Sequence, residues 1–123
     1  MNINTNVNFL LGLACQVKIM HWQTKGYAKH KALDETFGEL LDLTDSFVEE
    51  AMGKYGRFTL DAETDTIKMF NINDINVKSM IKKVCEALNQ FTEQFEETDT
   101  NLLNIRDEML GLFNKLSYLL TLE

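Results

Sequence analysis

Two histidines and a run of carboxylates are the residues of this chain best suited to chemistry. The segment HWQTKGYAKHKALDETFGELLDLTDSFVEE holds both histidines and the single tryptophan. Within it, His30 and Asp34 are spaced i, i+4, and so are Asp45 and Glu49. On a helix this spacing puts two side chains on one face, where both can bind the same cation. The sequence therefore predicts a metal site on a helix.

The two pairs are too far apart to share an ion within one chain. His30 and Asp45 are separated by about 22 Å along a helix axis. Two copies of this helix, packed antiparallel about a two-fold axis, would bring His30 and Asp34 of one chain beside Asp45 and Glu49 of the other. His21, at a core position of the preceding helix, adds a second imidazole. We therefore expect a homo-oligomer whose metal ligands are shared across a dimer interface.

Two imidazoles and three carboxylates suit Fe(II), with Zn(II) or Mn(II) as competitors. Metal oxidation is the most natural chemistry for such a set in a chain without a candidate cysteine nucleophile. Both imidazoles must be neutral to bind a metal, so occupancy should fall in acid. Each residue also has an ordinary interpretation. Carboxylates spaced i, i+4 are usually a solvated helix face, a lone histidine is usually packed or exposed, and Trp22 alone is typical of a boundary aromatic.

The elements that carry these residues are helical. The chain has no proline and six glycines, too few for a turn-rich β protein. Apolar residues recur at three- and four-residue spacing in four segments, which predicts an all-α four-helix bundle formed as one domain over residues 1–123. A long crossover connection over 57–74 would let the third helix run parallel to the second. The predicted helices span about 5–25, 29–54, 75–97 and 100–121.

Composition restricts the function further. With 45% apolar and 25% charged residues the chain is globular, and its net charge of −7 argues against a general affinity for nucleic acid. The two cysteines, Cys15 and Cys85, lie in apolar helical patterns and are expected in the core rather than in a disulfide framework. No signal peptide and no membrane span are predicted, so the expected location is cytoplasmic.

The spacing of the candidate ligands resembles the Dps proteins, the mini-ferritins of the ferritin-like superfamily. That family has a His-Trp pair at the end of its first helix, then a glycine, and then His-x-x-x-Asp at the start of the second. Asp-x-x-x-Glu follows eleven residues after that aspartate. The corresponding residues here are His21-Trp22, Gly26, His30, Asp34, Asp45 and Glu49. The last helix, TNLLNIRDEMLGLFNKLSYLL, is also similar to the C-terminal helix of that family.

The resemblance implies a ferritin-like bundle with a ferroxidase centre shared between two-fold-related subunits. His21, His30 and Asp34 would come from one chain, and Asp45 and Glu49 from its partner. It also implies Fe(II) oxidation with peroxide as the preferred oxidant, storage of ferric mineral in a twelve-subunit shell, and protection against oxidative damage. Trp22 would act beside the centre as a one-electron donor. The Lys/Arg-rich tail that some members use to bind DNA is absent, so we expect no DNA binding.

A second hypothesis belongs to a different class. The chain would be a ferritin-like oligomer that serves as a structural or interaction module, with Zn in the site or no metal at all. Metal analysis and an anaerobic Fe(II) titration would distinguish the two hypotheses, because only the first requires stoichiometric iron binding followed by oxidation.

Overall fold

The computed structural model of the chain describes residues 3–122, with the main chain only at Thr92. Those residues form four α-helices and two single-turn 3-10 helices, and no β-strand occurs among them. The all-α prediction with four helices is therefore confirmed. None of the helices within residues 3–122 is long and apolar enough to cross a lipid bilayer. The helices are α1 (Ile3–Gln23), α2 (Tyr27–Tyr55), α3 (Val77–Gln90) and α4 (Thr100–Leu119), and the 3-10 turns are Ile72–Asp74 and Phe91–Gln94.

The apolar faces of the helices form the core. Because apolar residues recur every three or four positions, each helix has one face that is buried when the helices pack. α2 packs against both α1 and α4, and α3 packs against α4. The largest fully buried side chains include Leu10, Leu40, Phe47 and Phe113. The prediction that both cysteines lie in the core is wrong for Cys15, which is exposed, whereas Cys85 is half-buried and packs against the core.

The ends of two helices differ from the sequence predictions. The third helix is shorter than the predicted 75–97, because the chain tightens into a 3-10 turn after Gln90. There Phe91 and Phe95 pack on Phe47 with ring centroids 5.9 and 5.8 Å away. The first helix ends at Gln23 and not at the predicted residue 25, and Gly26 is the residue before α2.

Residues 56–76 connect α2 to α3 and are attached along α1. Amide side chains of α1 hydrogen-bond the main chain of this connection from one end of the helix to the other. Between these bonds, a Cβ atom on Gly12 would lie 3.6 Å from the Ile67 side chain, so the connection lies close to the helix there. The bonds are Asn4 Nδ2 to Thr59 O, Asn8 Nδ2 to Thr66 O (3.0 Å), Gln16 Nε2 to Phe70 O (2.9 Å) and Ile72 N to Gln23 Oε1 (2.7 Å).

An ionic cluster around the buried carboxylate of Asp99 joins the end of α2 to the start of α4. Asp99, the residue before α4, is 1% exposed and accepts hydrogen bonds from Lys54 Nζ, from the Tyr55 hydroxyl and from the Glu96 amide. The bond from Lys54, followed by that from Tyr55, lowers the pKa of the Asp99 carboxyl to about 2. The same contacts with Asp99 raise the pKa of Lys54 and of Tyr55. The Asp99 carboxylate thus stays ionised although it is buried.

Candidate metal centre

The two histidines form a reciprocal pair at one end of the bundle. The rings of His21 and His30 are stacked, with centroids 3.9 Å apart and planes 26° from parallel. His21 Nδ1 lies 2.8 Å from the carbonyl oxygen of His30, and His30 Nδ1 lies 2.9 Å from that of His21. A carbonyl only accepts, so this network assigns the proton to Nδ1 in both rings. Each neutral ring then keeps a lone pair on Nε2, the atom available to a metal.

The short turn between α1 and α2 brings the histidines together. α1 ends at Gln23, the Thr24 amide closes its last turn on Met20 O, and α2 begins at Tyr27. With only three residues between them, the two helices pack against each other, so the last turn of α1 faces the first turn of α2. His21 is buried on that contact, whereas His30 is on the exposed side of the pair. The pair is therefore reachable from solvent on the His30 side.

Asp34 follows one helical turn after His30 and lies beside the pair. Its Oδ1 is 3.8 Å from His21 Nε2 and 3.3 Å from Lys18 Nζ. The Lys18 ammonium also lies 4.8 Å from the ring centroid of Phe37. Lys18 therefore neutralises the carboxylate that is nearest to the imidazoles. The sequence interpretation missed Lys18, although it lies one turn before His21 on the same helix, a spacing that places the two side chains on one face.

The other predicted site residues lie apart from the pair. Asp45 and Glu49 are exposed on α2, and their side chains form no hydrogen bond or ion pair with any residue in 3–122. Asp45 is about 16 Å further along the helix axis than Asp34. Trp22 is 65% exposed, and its ring lies 5.6 Å from Lys18 Nζ. Within the described part of the chain, no three His, Cys, Asp or Glu side chains are close enough together to hold a metal ion. One chain therefore provides two anchored imidazoles and a nearby carboxylate, not a closed site.

Together these features define a small helical-bundle protein with an anchored histidine pair at one end. A family model matches residues 21–120, and the chain belongs to that family, which is described as a family of unknown function, DUF5856. The chain is also 34% identical over 103 residues to a protein of Enterobacteria phage T4, described as an uncharacterized 14.6 kDa protein in the mobD-ri intergenic region. That match covers 84% of this chain and 75% of the phage protein. No solved structure matches the chain significantly.

The predicted membership of the Dps family is therefore wrong. The matching family is DUF5856, and neither it nor the phage relative points to a Dps or ferritin-like protein. The misleading signal was the spacing of carboxylates on α2. Acidic residues four apart occur on any helix with a solvated acidic face, which is where Asp45 and Glu49 lie. The twelve-subunit shell and electron donation by Trp22 rested on that resemblance alone and lose their support.

Proposed function

We propose that the protein binds a divalent transition-metal ion through Nε2 of His21 and of His30. The observation that carries this proposal is the reciprocal pair of Nδ1–carbonyl hydrogen bonds. Metal-binding histidines commonly donate their second ring N–H to a carbonyl or carboxylate, which fixes the tautomer and aims the other nitrogen at the metal. Asp34 would supply an oxygen ligand after a small side-chain movement away from Lys18. A mixed imidazole and carboxylate set suits Fe(II), Zn(II) or Mn(II).

The remaining ligands would come from a second copy of the chain. Asp45 and Glu49 are exposed and unpaired within residues 3–122, and they lie too far along α2 to reach the pair in the same chain. An antiparallel α2–α2 contact would place them beside the other copy's histidines. With iron as substrate, the completed site would oxidise Fe(II) to Fe(III), with oxygen or peroxide as the electron acceptor. In that reaction the carboxylates would balance the charge of the ferric product.

The architecture that we infer around this site is a bundle with a long crossover. Hydrogen bonds from residues 59–72 are distributed along α1 from Asn4 to Gln23. A connection that follows the full length of α1 returns the chain to the end where α2 began. α3 would then run in the same direction as α2, and the outer face of α2 would remain open to a second copy.

A structural role for the histidine pair is the second candidate function. The two Nδ1–carbonyl bonds tie the end of α1 to the first turn of α2, and this alone stabilises the turn. In that case the protein would be an oligomeric or interaction module whose site holds Zn or no metal. The two candidates differ in what Nε2 does, because only metal binding requires that atom.

The variant His30→Asn separates the two roles. The asparagine amide can still donate to the His21 carbonyl, but it has no counterpart of Nε2. We expect wild type to bind Co(II) or Zn(II) stoichiometrically in calorimetric titrations at neutral pH, and His30→Asn to lose that binding while it keeps its helical circular dichroism. Glu35→Gln is the matched control, because Glu35 is a neighbouring exposed residue that forms no hydrogen bond or ion pair with either histidine. Equal metal affinity in wild type and His30→Asn would exclude the proposed site.

A second variant tests the contribution of the partner. Asp45→Asn combined with Glu49→Gln should leave Zn(II) binding by the histidine pair measurable but weaken it, and should slow Fe(II) oxidation followed by absorbance under air. Sedimentation measured with and without metal tests the dimer directly. A chain that stays monomeric with bound metal, and whose iron oxidation is unchanged in the double variant, would remove the shared-site part of the proposal.

A further inference from the structure

A cleft of about 830 Å³ opens at the same end of the bundle and includes neither histidine. It lies between the end of α1, the start of α2, the start of α3 and the end of α4. Its floor is formed by Met20, Leu33 and Ile81, which are buried core residues. The cleft therefore extends from the surface down to the apolar core. Its volume lies in the range of pockets that hold a small molecule of cofactor size.

The charge of this cleft is opposite to that of the chain. The whole sequence carries 19 acidic and 12 basic residues, but the residues that line the cleft include three lysines and no aspartate or glutamate. Lys25, Lys29 and Lys78 form no ion pair with any residue in 3–122. Three ammonium groups without counter-ions around one concave surface produce a local positive potential, and an anion bound there would be stabilised.

The start of α2 adds to the same potential. Gly26 precedes that helix and provides no side-chain cap for the amides of its first turn, which lies between Lys25 and Lys29. Uncapped amides at a helix start, together with the helix dipole, favour a negatively charged group. α3 also begins at the cleft, with Val77 and Lys78 in its lining, although its own start is capped by Asn76. Lys25, Lys29 and Lys78 are exposed, so the three positive side chains of the lining lie nearer the solvent than the buried apolar floor.

We propose that this cleft binds a phosphorylated small molecule of about nucleotide size. Its phosphates would lie between Lys25, Lys29 and Lys78, where charge-assisted hydrogen bonds are available. Its organic part would cover the apolar floor. Tyr118, which lines the cleft and is 63% exposed, provides an aromatic surface for a flat ring. This site is independent of the proposed metal centre, because no predicted metal ligand lines it.

Calorimetry or NMR titration of the full chain with three probes tests this proposal. ATP carries both a phosphate chain and an aromatic ring, inorganic pyrophosphate carries only the charge, and adenosine carries only the ring. We expect ATP to bind most tightly, pyrophosphate more weakly, and adenosine not measurably. The affinity for ATP should fall as salt is raised, because the exposed lysines are screened.

Variants locate the binding. Lys25→Gln with Lys29→Gln should weaken ATP binding by at least about tenfold, since each lysine contributes a charge-assisted bond. Lys82→Gln with Lys83→Gln is the matched control, because it removes the same charge from exposed positions of α3 outside the cleft and should change affinity little. Tyr118→Leu should weaken ATP binding but not pyrophosphate binding. The proposal is overturned if neither ATP nor pyrophosphate binds at millimolar concentration, or if both lysine pairs reduce affinity equally.

Discussion

The attachment of Phe70 to α1 gives a sharp test of how the long connection is held. Gln16 is buried, its Nε2 donates to Phe70 O at 2.9 Å, and its Oε1 accepts from Phe70 N at 2.8 Å. Gln16→Met keeps the length and the apolar stem of the side chain but removes both bonds. At a net value of about 1 kcal/mol for each bond, the free energy of unfolding should fall by about 2 kcal/mol. Both bonds are only part-buried, so water can replace them in part and limit the loss to that size.

Two measurements check this value. Urea unfolding followed by far-UV circular dichroism gives the change in free energy, and hydrogen exchange at the Phe70 amide reports the local bond. Gln90→Met is the control, because Gln90 is exposed at the end of α3 and its side chain has no hydrogen-bond partner in residues 3–122. It should change stability by less than about 0.5 kcal/mol. The reasoning is refuted if the two variants lose equal stability and the Phe70 amide exchanges as slowly in Gln16→Met as in wild type.

Three further predictions concern the bundle itself. The pKa of Asp99 is lowered from 3.8 to about 2, so its stabilising contribution is complete above pH 3.8 and is lost as pH falls through about 2. The free energy of unfolding of Asp99→Asn should therefore fall less in acid than that of wild type. If both proteins lose stability in parallel as pH falls, the assignment to Asp99 is contradicted. Thr44→Val should raise the free energy of unfolding by about 1 kcal/mol, because the buried Thr44 hydroxyl has no hydrogen-bond partner within residues 3–122; a lower melting temperature would show that the hydroxyl is satisfied. Gly111→Ala should stabilise by about 1 kcal/mol, because a Cβ there meets nothing within 4 Å, whereas Gly56→Ala should destabilise by about 1 kcal/mol, because Gly56 has a φ of 89°. Melting temperatures that move in the same direction in both glycine variants would contradict this pair.

The helices could be predicted because their buried residues recur at the three- and four-residue spacing of an α-helix. In α1 the residues that recur at three- and four-residue spacing are all buried, because a single apolar stripe on a helix has only one face to bury. They are Leu10, Leu13, Ala14, Val17, Met20 and His21. The end of α3 could not be placed in the same way. Phe91 and Phe95 continue the apolar period, but they pack as an aromatic cluster on Phe47, and the chain tightens there. Periodicity alone does not distinguish an α-helix from a tighter turn that keeps the same residues inside.

The path of the connection had a signal that the sequence interpretation did not use. Asn4, Asn8, Gly12 and Gln16 recur every four residues on α1, beside the apolar stripe. Three of them have amide side chains that hydrogen-bond the main chain of residues 59–70, and the glycine is where Ile67 approaches the helix. A row of amides at helical spacing indicates a face that pairs with an extended segment, because an amide offers both a donor and an acceptor to a backbone.

The candidate metal centre was only partly readable from the sequence. The spacing of His30 and Asp34 places them on one face of α2, and the structure brings both close to His21. The spacing could not show that Nδ1 of each histidine donates to the main-chain carbonyl of the other. That contact depends on how the turn between α1 and α2 closes. It also could not show that Lys18 neutralises Asp34. The shared site with Asp45 and Glu49 stays a prediction, since it depends on a second copy of the chain.

Both proposed sites depend on the same three-residue turn, and this explains why they lie at one end of an otherwise acidic bundle. On one side of the turn, the end of α1 and the start of α2 stack His21 on His30. On the other side, Lys25 and Lys29 flank the uncapped start of α2 and face the cleft. The amides of the first turn of a helix have no hydrogen-bond partner within that helix. Because the turn between α1 and α2 is short, the first turn of α2 lies beside the last turn of α1. The positive end of α2 is therefore fixed beside the cleft, between Lys25 and Lys29, while Asp45 and Glu49 further along the helix remain exposed.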